Sequence, residues 1–188
     1  SGHGCLNTYG GYIVTPDFKS YDEGVSMDDI MKICNSSIAK HKIIILDCCY
    51  SGKIGNPDKY TNNVAEIANG VTILAACRED ELATETDGHG VFTSLLVEAL
   101  EGQCADLVGK ISPGSIYAFI DRALGAWAQR PLFKTNVSSF ISLRTVPPTI
   151  DITTLRKLTI YFPSIYDEFK LDPTFEDQVP GFNVDNVK

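Results

Sequence analysis

Two adjacent thiols stand at the end of an apolar run in this sequence. Residues 43–52 read IIILDCCYSG, so Cys48 and Cys49 follow a strand-sized apolar segment and precede a serine–glycine turn. Functional sites in open α/β sheets form beyond the carboxyl ends of strands, which is where this segment would place a thiol. Because side chains alternate along a strand, Asp47 and Cys49 are expected on one face and Cys48 on the other.

A thiol becomes an efficient nucleophile when a histidine accepts its proton, and the sequence holds three histidines. His3 is the best candidate base, because the glycines on both sides permit a turn that leaves the imidazole accessible. His41 and His89 are weaker candidates. His89 also stands between glycines, but it follows the cysteine and precedes a predicted helix. His3 and Cys49 are therefore the candidate catalytic pair.

The predicted elements alternate between strands and helices. Apolar, β-branched runs predict buried strands over residues 42–48 and 71–77, and alternation predicts a third strand over residues 138–143. Helices are predicted over residues 26–37, with Ile30, Ile33 and Cys34 as the apolar face, and over residues 91–100 and 115–128. This order indicates an α/β fold with a mainly parallel sheet between layers of helices.

Turn residues and prolines divide the rest of the chain. Gly10 and Gly11 predict the turn of a short hairpin, and residues 16–24 predict a loop. After residue 146 a proline pair opens a segment with a short helix, followed by scattered prolines and aromatics. We therefore assign residues 1–146 to a catalytic domain and residues 147–188 to an extension with a short helix and an extended tail.

Composition argues against several function classes. The 188 residues are 44% hydrophobic and 21% charged, which is typical of a soluble globular domain. The net charge of -8 argues against nucleic-acid binding and suits a basic peptide substrate. No apolar run is long enough for a membrane span and no signal peptide is visible, so we expect a cytoplasmic protein. The six cysteines lack CxxC spacing, which argues against a disulfide framework or a zinc site.

Four motifs follow one another along the chain: SGHG at residues 1–4, ILDCCYSG at 45–52, AACREDELATE at 75–85 and GVFTSLLVEAL at 90–100. In this order they resemble the motifs of the metacaspases and bacterial caspase-like proteases, and the likeness extends to about Leu143. The resemblance implies a caspase-like fold and a cysteine endopeptidase with His3 and Cys49 as its catalytic dyad. A histidine about 50 residues before the cysteine is typical of caspases.

The resemblance also implies how a substrate is bound. Ser1 and Asp47 match positions that line the primary specificity pocket in similar proteases and select arginine or lysine before the scissile bond. The backbone N–H groups of Gly4 and Cys49 match the oxyanion donors. Caspases that prefer aspartate would instead need arginines in that pocket, and Arg78 keeps this alternative open.

Calcium is a possible cofactor, because many metacaspases require it. The available oxygen donors in suitable loops are Asp17, Asp22, Glu79 and Asp80. Two positions depart from the family pattern. Asn56 stands where a carboxylate is expected, and Tyr50 replaces the histidine common after the metacaspase cysteine, which we interpret as tolerated variation.

Similar proteases have a six-stranded sheet, whereas only three core strands are evident here and the sequence starts at the histidine loop. We therefore expect the N-terminal strands to be absent from this chain and supplied by an N-terminal fragment of the same protein. Lys53 and Lys59, in the loop after Cys49, are expected sites of self-cleavage. Processing or partner binding would then regulate the enzyme.

Two other function classes stay open on sequence alone. A caspase-like module without catalysis would bind or scaffold partners, since folds outlive their chemistry. A redox protein would use Cys48 and Cys49, although the geometry of a strand disfavours a bond between adjacent cysteines. The presence of His3 together with Cys49 favours the protease.

Overall fold

In the computed structural model, short strands and helices alternate along the chain. The structure describes residues 1–55, 67–78, 83, 85–86, 89–125 and 129–166. The strands are β1 (Gly4–Asn7), β2 (Gly10–Lys19), β3 (Asp22–Ser26), β4 (Lys42–Leu46), β5 (Val71–Ala75), β6 (Glu85–Thr86), β7 (His89–Gly90), β8 (Lys110–Ile111), β9 (Leu132–Asn136) and β10 (Arg144–Thr145). The helices are α1 (Met27–Ser36), α2 (Val91–Glu98), α3 (Pro113–Leu124), α4 (Ile152–Arg156) and α5 (Leu158–Tyr161).

The central sheet has the strand order β4–β5–β9. β4 and β5 are parallel, with Ile44 opposite Ile73, whereas β5 and β9 are antiparallel, with Ile73 opposite Lys134. β5, the middle strand, is buried along its whole length. The predicted α/β fold is confirmed, and both predicted core strands are present, ending at Leu46 and Ala75.

The prediction of a third strand over residues 138–143 is wrong, because that segment is irregular and β9 takes its place in the sheet. The polar composition of β9 is typical of a loop. Its Lys134 is nevertheless well bonded, since Nζ donates to the carbonyl oxygens of Gly52 at 3.1 Å and Ile54 at 2.6 Å. Hydrogen bonds to residues distant in sequence thus stabilise a polar segment in the sheet. The pattern of apolar residues along the sequence does not reveal such a strand.

β1, β2 and β3 form a separate antiparallel sheet. The predicted hairpin is present, but Thr8 and Tyr9 form its turn rather than the two glycines. Asn7 stabilises this turn, because its Oδ1 accepts the N–H groups of Tyr9 at 2.8 Å and Gly10 at 3.1 Å. The prediction of a loop over residues 16–24 is wrong, since β2 and β3 occupy most of that segment.

Helices cover both faces of the central sheet. On one face the α1-side core contains Met27, Met31, Cys48, Ile54, Val71 and Ile73. On the other face the α2/α3-side core contains Leu74, Ala76, Phe92, Ala99, Ile111, Ile116 and Ile120. Successive residues of β5 point to opposite faces, so a single strand separates the two cores and gives the layered architecture.

α1 begins where predicted, and two of its three predicted apolar-face residues, Ile30 and Cys34, pack against the α1-side core. Met27 and Met31 lie four residues apart on one side of the helix and enter the α1-side core. Ile33 points away from the sheet and is 71% exposed. Helical periodicity therefore identified the helix and part of its inner face, but it wrongly included Ile33 and missed the two methionines.

α3 begins at Pro113, two residues before its predicted start. Ser112 and Ser115 form a reciprocal cap, in which each hydroxyl accepts the backbone N–H of the other, at 3.1 Å and 3.0 Å. Proline suits the first position of a helix because its missing N–H would have no partner there. The Pro113–Gly114 pair therefore opens the helix.

The chain forms two units, Ser1–Pro148 and Thr149–Lys188. The first unit holds the elements from β1 to β10. The second holds α4 and α5, where a single short helix is expected. Within the described residues, the helices are too short or too polar to cross a membrane.

Truncation of the buried Ile73 tests the packing of the α1-side core. We expect Ile73→Ala to lower the free energy of unfolding by about 2–5 kcal/mol, because it leaves a cavity under α1. The matched control is Ile33→Ala, which removes the same atoms from an exposed position of α1 and should change stability by less than about 0.5 kcal/mol. Urea denaturation followed by circular dichroism measures both variants, and equal losses would contradict this core.

Candidate active site

The segment after β4 turns sharply and separates the two adjacent cysteines. β4 ends at Leu46, Tyr50 adopts a left-handed conformation with φ of +58°, and Ser51–Lys53 form a 3-10 turn. Cys48 is 3% exposed and packs in the α1-side core. Cys49 is only half-buried. Of the two thiols, Cys49 is therefore the one that a substrate can approach.

The loop that carries His3 lies directly against the backbone of Cys49. A Cβ atom on Gly4 would overlap the Cys49 carbonyl oxygen, so the two segments approach as closely as their backbones allow. His3 itself is exposed. A glycine thus allows the segments that carry His3 and Cys49, which are far apart in sequence, to meet through their backbones.

Hydrogen bonds on both sides fix the histidine loop. The Gly2 N–H donates to the Asp47 carbonyl oxygen at 2.9 Å, which ties the loop to the end of β4. The Val14 N–H donates to the His3 carbonyl oxygen at 2.9 Å, which ties it to β2. The backbone of His3 is therefore held in place, while its imidazole reaches solvent.

Two backbone N–H groups at this junction are candidate oxyanion donors. The Val14–His3 bond makes Gly4 and Ile13 a non-hydrogen-bonded pair, so the Gly4 N–H points away from β2 at the outer edge of β1. The Cys49 N–H donates to no backbone acceptor within the described part of the chain. Unpaired N–H groups beside a nucleophile are what stabilisation of a tetrahedral oxyanion needs.

The Asp47 carboxylate caps helix α2. Its Oδ2 accepts hydrogen bonds from the Thr93 N–H at 3.1 Å and the Thr93 hydroxyl at 2.6 Å. The N-cap residue, Gly90, has no side chain for this role, and a Cβ there would overlap Oδ2. The negative charge of Asp47 thus lies at the positive end of the helix dipole. Oδ1 has no hydrogen bond among the described residues.

The segment that follows β5 supports the cysteine turn. Cys77 Sγ donates to the Cys48 carbonyl oxygen at 3.3 Å, and Ser51 Oγ accepts the Cys77 N–H at 3.4 Å. Gly52 packs so closely on Arg78 that a Cβ would lie 2.6 Å from the Arg78 carbonyl carbon. The turn is therefore held by the His3 loop on one side and by the end of β5 on the other.

Burial controls the protonation of the two inner thiols. Burial raises the pKa of Cys48 to about 12, with smaller contributions in the same direction from Cys77, Cys49 and Asp47. Burial also raises the pKa of Cys77, although hydrogen bonds from Ser51 and Tyr50 act in the opposite direction. Both groups therefore remain neutral thiols near pH 7, which makes them poor nucleophiles.

The other predicted site residues occupy different places. Ser1 is exposed at the start of the histidine loop. His41 precedes β4, whereas Cys49 follows it, so the two lie at opposite ends of the strand. The backbone of His89 pairs with Thr86 in the short β6–β7 hairpin, next to Gly90. Of the three histidines, His3 has the backbone that is tied directly to the Cys49 turn.

The expected calcium donors are only partly described. Asp17 and Asp22 are exposed, and a hydrogen bond from Thr15 lowers the pKa of Asp17. Among the described residues, no group of three or more acidic, histidine or cysteine side chains could hold a metal ion. Asn56, Glu79 and Asp80, together with the expected cleavage site Lys59, lie outside the described residues. The other expected cleavage site, Lys53, is half-buried in the 3-10 turn.

Sequence reasoning missed three residues that organise this site: Ser51, Cys77 and Thr93. Cys77 and Thr93 form hydrogen bonds with the segment from Asp47 to Cys49, and Ser51 forms one with Cys77. Only Thr93 had a usable signal, since it is the third residue of a predicted helix whose N-cap is glycine. Ser51 and Cys77 act through contacts between the ends of β4 and β5, which a single sequence does not reveal.

Comparison with known proteins gives one family. The family model for the caspase domain, of peptidase family C14, matches residues 1–140. No curated protein matches the chain.

Alkylation of the native protein tests the different accessibility of the thiols. With iodoacetamide at pH 8, we expect Cys49 to be modified at least about tenfold faster than Cys48 and Cys77, because both inner thiols are buried and stay protonated. Peptide mass spectrometry measures the rates. The protection of Cys48 should persist to about pH 10, below its pKa of about 12, and disappear in 6 M guanidinium chloride. Faster labelling of Cys48 than of Cys49 would contradict the assignment of the accessible thiol.

Proposed function

Because this chain belongs to the caspase-domain family of cysteine peptidases, we propose that it is an endopeptidase of the metacaspase type. In this proposal His3 and Cys49 form its catalytic dyad, and it cleaves peptide bonds after arginine or lysine. The observation that carries the proposal is the backbone contact between Gly4 and Cys49, because it joins the loop of the candidate base to the residue with the accessible thiol.

The proposed reaction uses the site in two steps. His3 accepts the proton of the Cys49 thiol, and the thiolate attacks the carbonyl carbon of the scissile bond. The N–H groups of Gly4 and Cys49 bind the oxyanion that forms. The imidazolium of His3 then protonates the leaving amine, and a thioester on Cys49 remains. Water, deprotonated by His3, hydrolyses this thioester and restores the thiol.

The proposed preference for a basic residue rests on Asp47. Its Oδ2 is bound to Thr93, which holds the carboxylate in one orientation. Oδ1, which has no hydrogen bond among the described residues, would accept one from a substrate guanidinium or ammonium group. Ser1, in the adjacent loop, supplies a hydroxyl in this proposal. The net charge of -8 favours the approach of a basic peptide.

A preference for aspartate is the alternative, and it depends on Arg78. This side chain is exposed, and its backbone packs against Gly52 at the end of the cysteine turn. An arginine in that position would favour an acidic substrate. Asp47 would repel the same substrate, so the carboxylate argues for the basic preference.

Peptide cleavage tests the dyad. Fluorogenic peptides that differ only in Arg, Lys or Asp before the scissile bond should show turnover after Arg and Lys, measured with and without calcium on the full-length protein. Cys49→Ala and His3→Ala should each lower kcat by at least about a thousandfold, as loss of a catalytic group does. Cys48→Ala, which removes the neighbouring buried thiol, is the matched control and should retain turnover. Loss of activity in Cys48→Ala alone would reverse the assignment, and no cleavage by wild type would favour a binding module.

Asp47→Asn separates the two roles of this residue. Asparagine keeps an oxygen that can accept the Thr93 bonds, so the free energy of unfolding should change by less than about 1 kcal/mol. The charge is lost, so kcat/KM for an Arg peptide should fall roughly 10- to 100-fold, the effect of one charged hydrogen bond. The matched control, Thr93→Ala, should instead lower stability and affect cleavage less. An unchanged preference for Arg in Asp47→Asn would contradict the proposed pocket.

A further inference from the structure

One peptide unit joins the two adjacent cysteines, and its two ends have different partners. Its carbonyl oxygen, that of Cys48, accepts a hydrogen bond from Cys77 Sγ at 3.3 Å. Its N–H belongs to Cys49 and is one of the two proposed oxyanion donors. Cys77 therefore binds one end of the planar group whose other end would bind the substrate.

We propose that Cys77 is a positioning residue for the reaction, because its thiol orients and polarises the Cys48–Cys49 peptide so that the Cys49 N–H is ready to bind the oxyanion. This inference rests on the proposed function. A peptide is planar, so a bond that fixes the carbonyl also fixes the direction of the N–H. A donor on the carbonyl oxygen also strengthens the N–H as a donor, since hydrogen bonds in a chain polarise one another.

The Cys48–Cys49 peptide needs such support because it lies beyond the end of the sheet. Among the described residues, the last backbone bond that ties β4 to the β5 side is that from the Ala76 N–H to the Leu46 carbonyl oxygen, at 2.9 Å. Past that point, the Cys48 carbonyl is bound by the Ser51 N–H at 3.3 Å, which is local to the turn, and by Cys77. Cys77 is thus the donor that connects this peptide to the rigid central strand β5.

The surroundings of Cys77 keep its thiol in the form that donates. Cys77 and Ser51 are completely buried, and Ser51 Oγ lies 3.5 Å from Cys77 Sγ while accepting the Cys77 N–H at 3.4 Å. Burial raises the pKa of Cys77, so the sulfur retains its proton near pH 7. A protonated sulfur next to a carbonyl oxygen donates, and burial excludes the water that would otherwise replace it.

Two substitutions at this position separate the hydrogen bond from packing. Cys77→Ala removes the donor, and we expect kcat for an Arg peptide to fall roughly tenfold, less than the hundredfold or greater loss when an oxyanion donor is removed. KM should change less than about twofold, because the effect concerns the transition state. Cys77→Ser restores a donor at the same place and should recover most of kcat.

Cys104→Ala is the matched control. Cys104 Sγ donates to the Ala99 carbonyl oxygen at the same distance of 3.3 Å and also contacts a serine hydroxyl, that of Ser115 at 3.6 Å, but it lies in the other core. This variant removes an equivalent thiol bond and should leave kcat unchanged. If Cys77→Ala does not fold, Cys77→Val and Cys77→Thr provide a second pair of nearly equal shape, of which only Thr can donate.

A second readout does not depend on activity. In the NMR spectrum the carbonyl ¹³C resonance of Cys48 should move when Cys77 is changed to Ala and return toward the wild-type position in Cys77→Ser. If wild type cleaves but Cys77→Ala has an unchanged kcat, or if Ala and Ser reduce kcat equally, the positioning role is wrong while the proposed function stands. If wild type does not cleave, the proposed function fails. If the Cys48 resonance is the same in wild type and Cys77→Ala, the orienting hydrogen bond is wrong as well.

Discussion

At Gly4 the histidine loop meets the carbonyl group of Cys49, with no room for even one carbon atom between them. This steric constraint brings together two segments that belong to different sheets, the hairpin sheet that begins at β1 and the central sheet that contains β4. The hydrogen bond from Gly2 to Asp47 fixes their register. A larger residue at Gly4 would force the histidine loop away from the Cys49 turn, so the close approach of these two segments depends on this glycine.

The end of β4 then gives three successive residues three environments. Asp47 lies against the start of α2, Cys48 lies in the core under α1, and Cys49 lies at the junction with the histidine loop. Alternation along an extended chain explains why the first two point to opposite sides. The turn at Tyr50, with its positive φ, explains why the chain leaves the sheet immediately after the thiol. Two adjacent cysteines therefore differ in exposure, and burial raises the pKa of the inner one, Cys48.

Much of this arrangement follows from local patterns. The apolar runs of β4 and β5, the helix after Ser26 and the α/β class were all predictable, because buried strands and amphipathic helices leave clear signals in sequence. β9 was not predictable, since long-range bonds satisfy its Lys134. The capping of α2 by Asp47 could not be singled out from sequence, because a carboxylate at the end of a strand can either cap a helix or bind a ligand. The contacts of Ser51 and Cys77 needed the fold, because they join two strand ends.

The bond between Asp47 and Thr93 has a further thermodynamic consequence. The same carboxylate that would receive a basic side chain also stabilises the first turn of α2, so the two events share one charge. A ligand that draws Asp47 away from Thr93 would favour fraying of the first turn of α2. Because linked equilibria are reciprocal, fraying of that turn would change the affinity for the ligand by the same factor. Exchange of the amide hydrogens at the start of α2 would thus report whether a basic side chain had bound to Asp47.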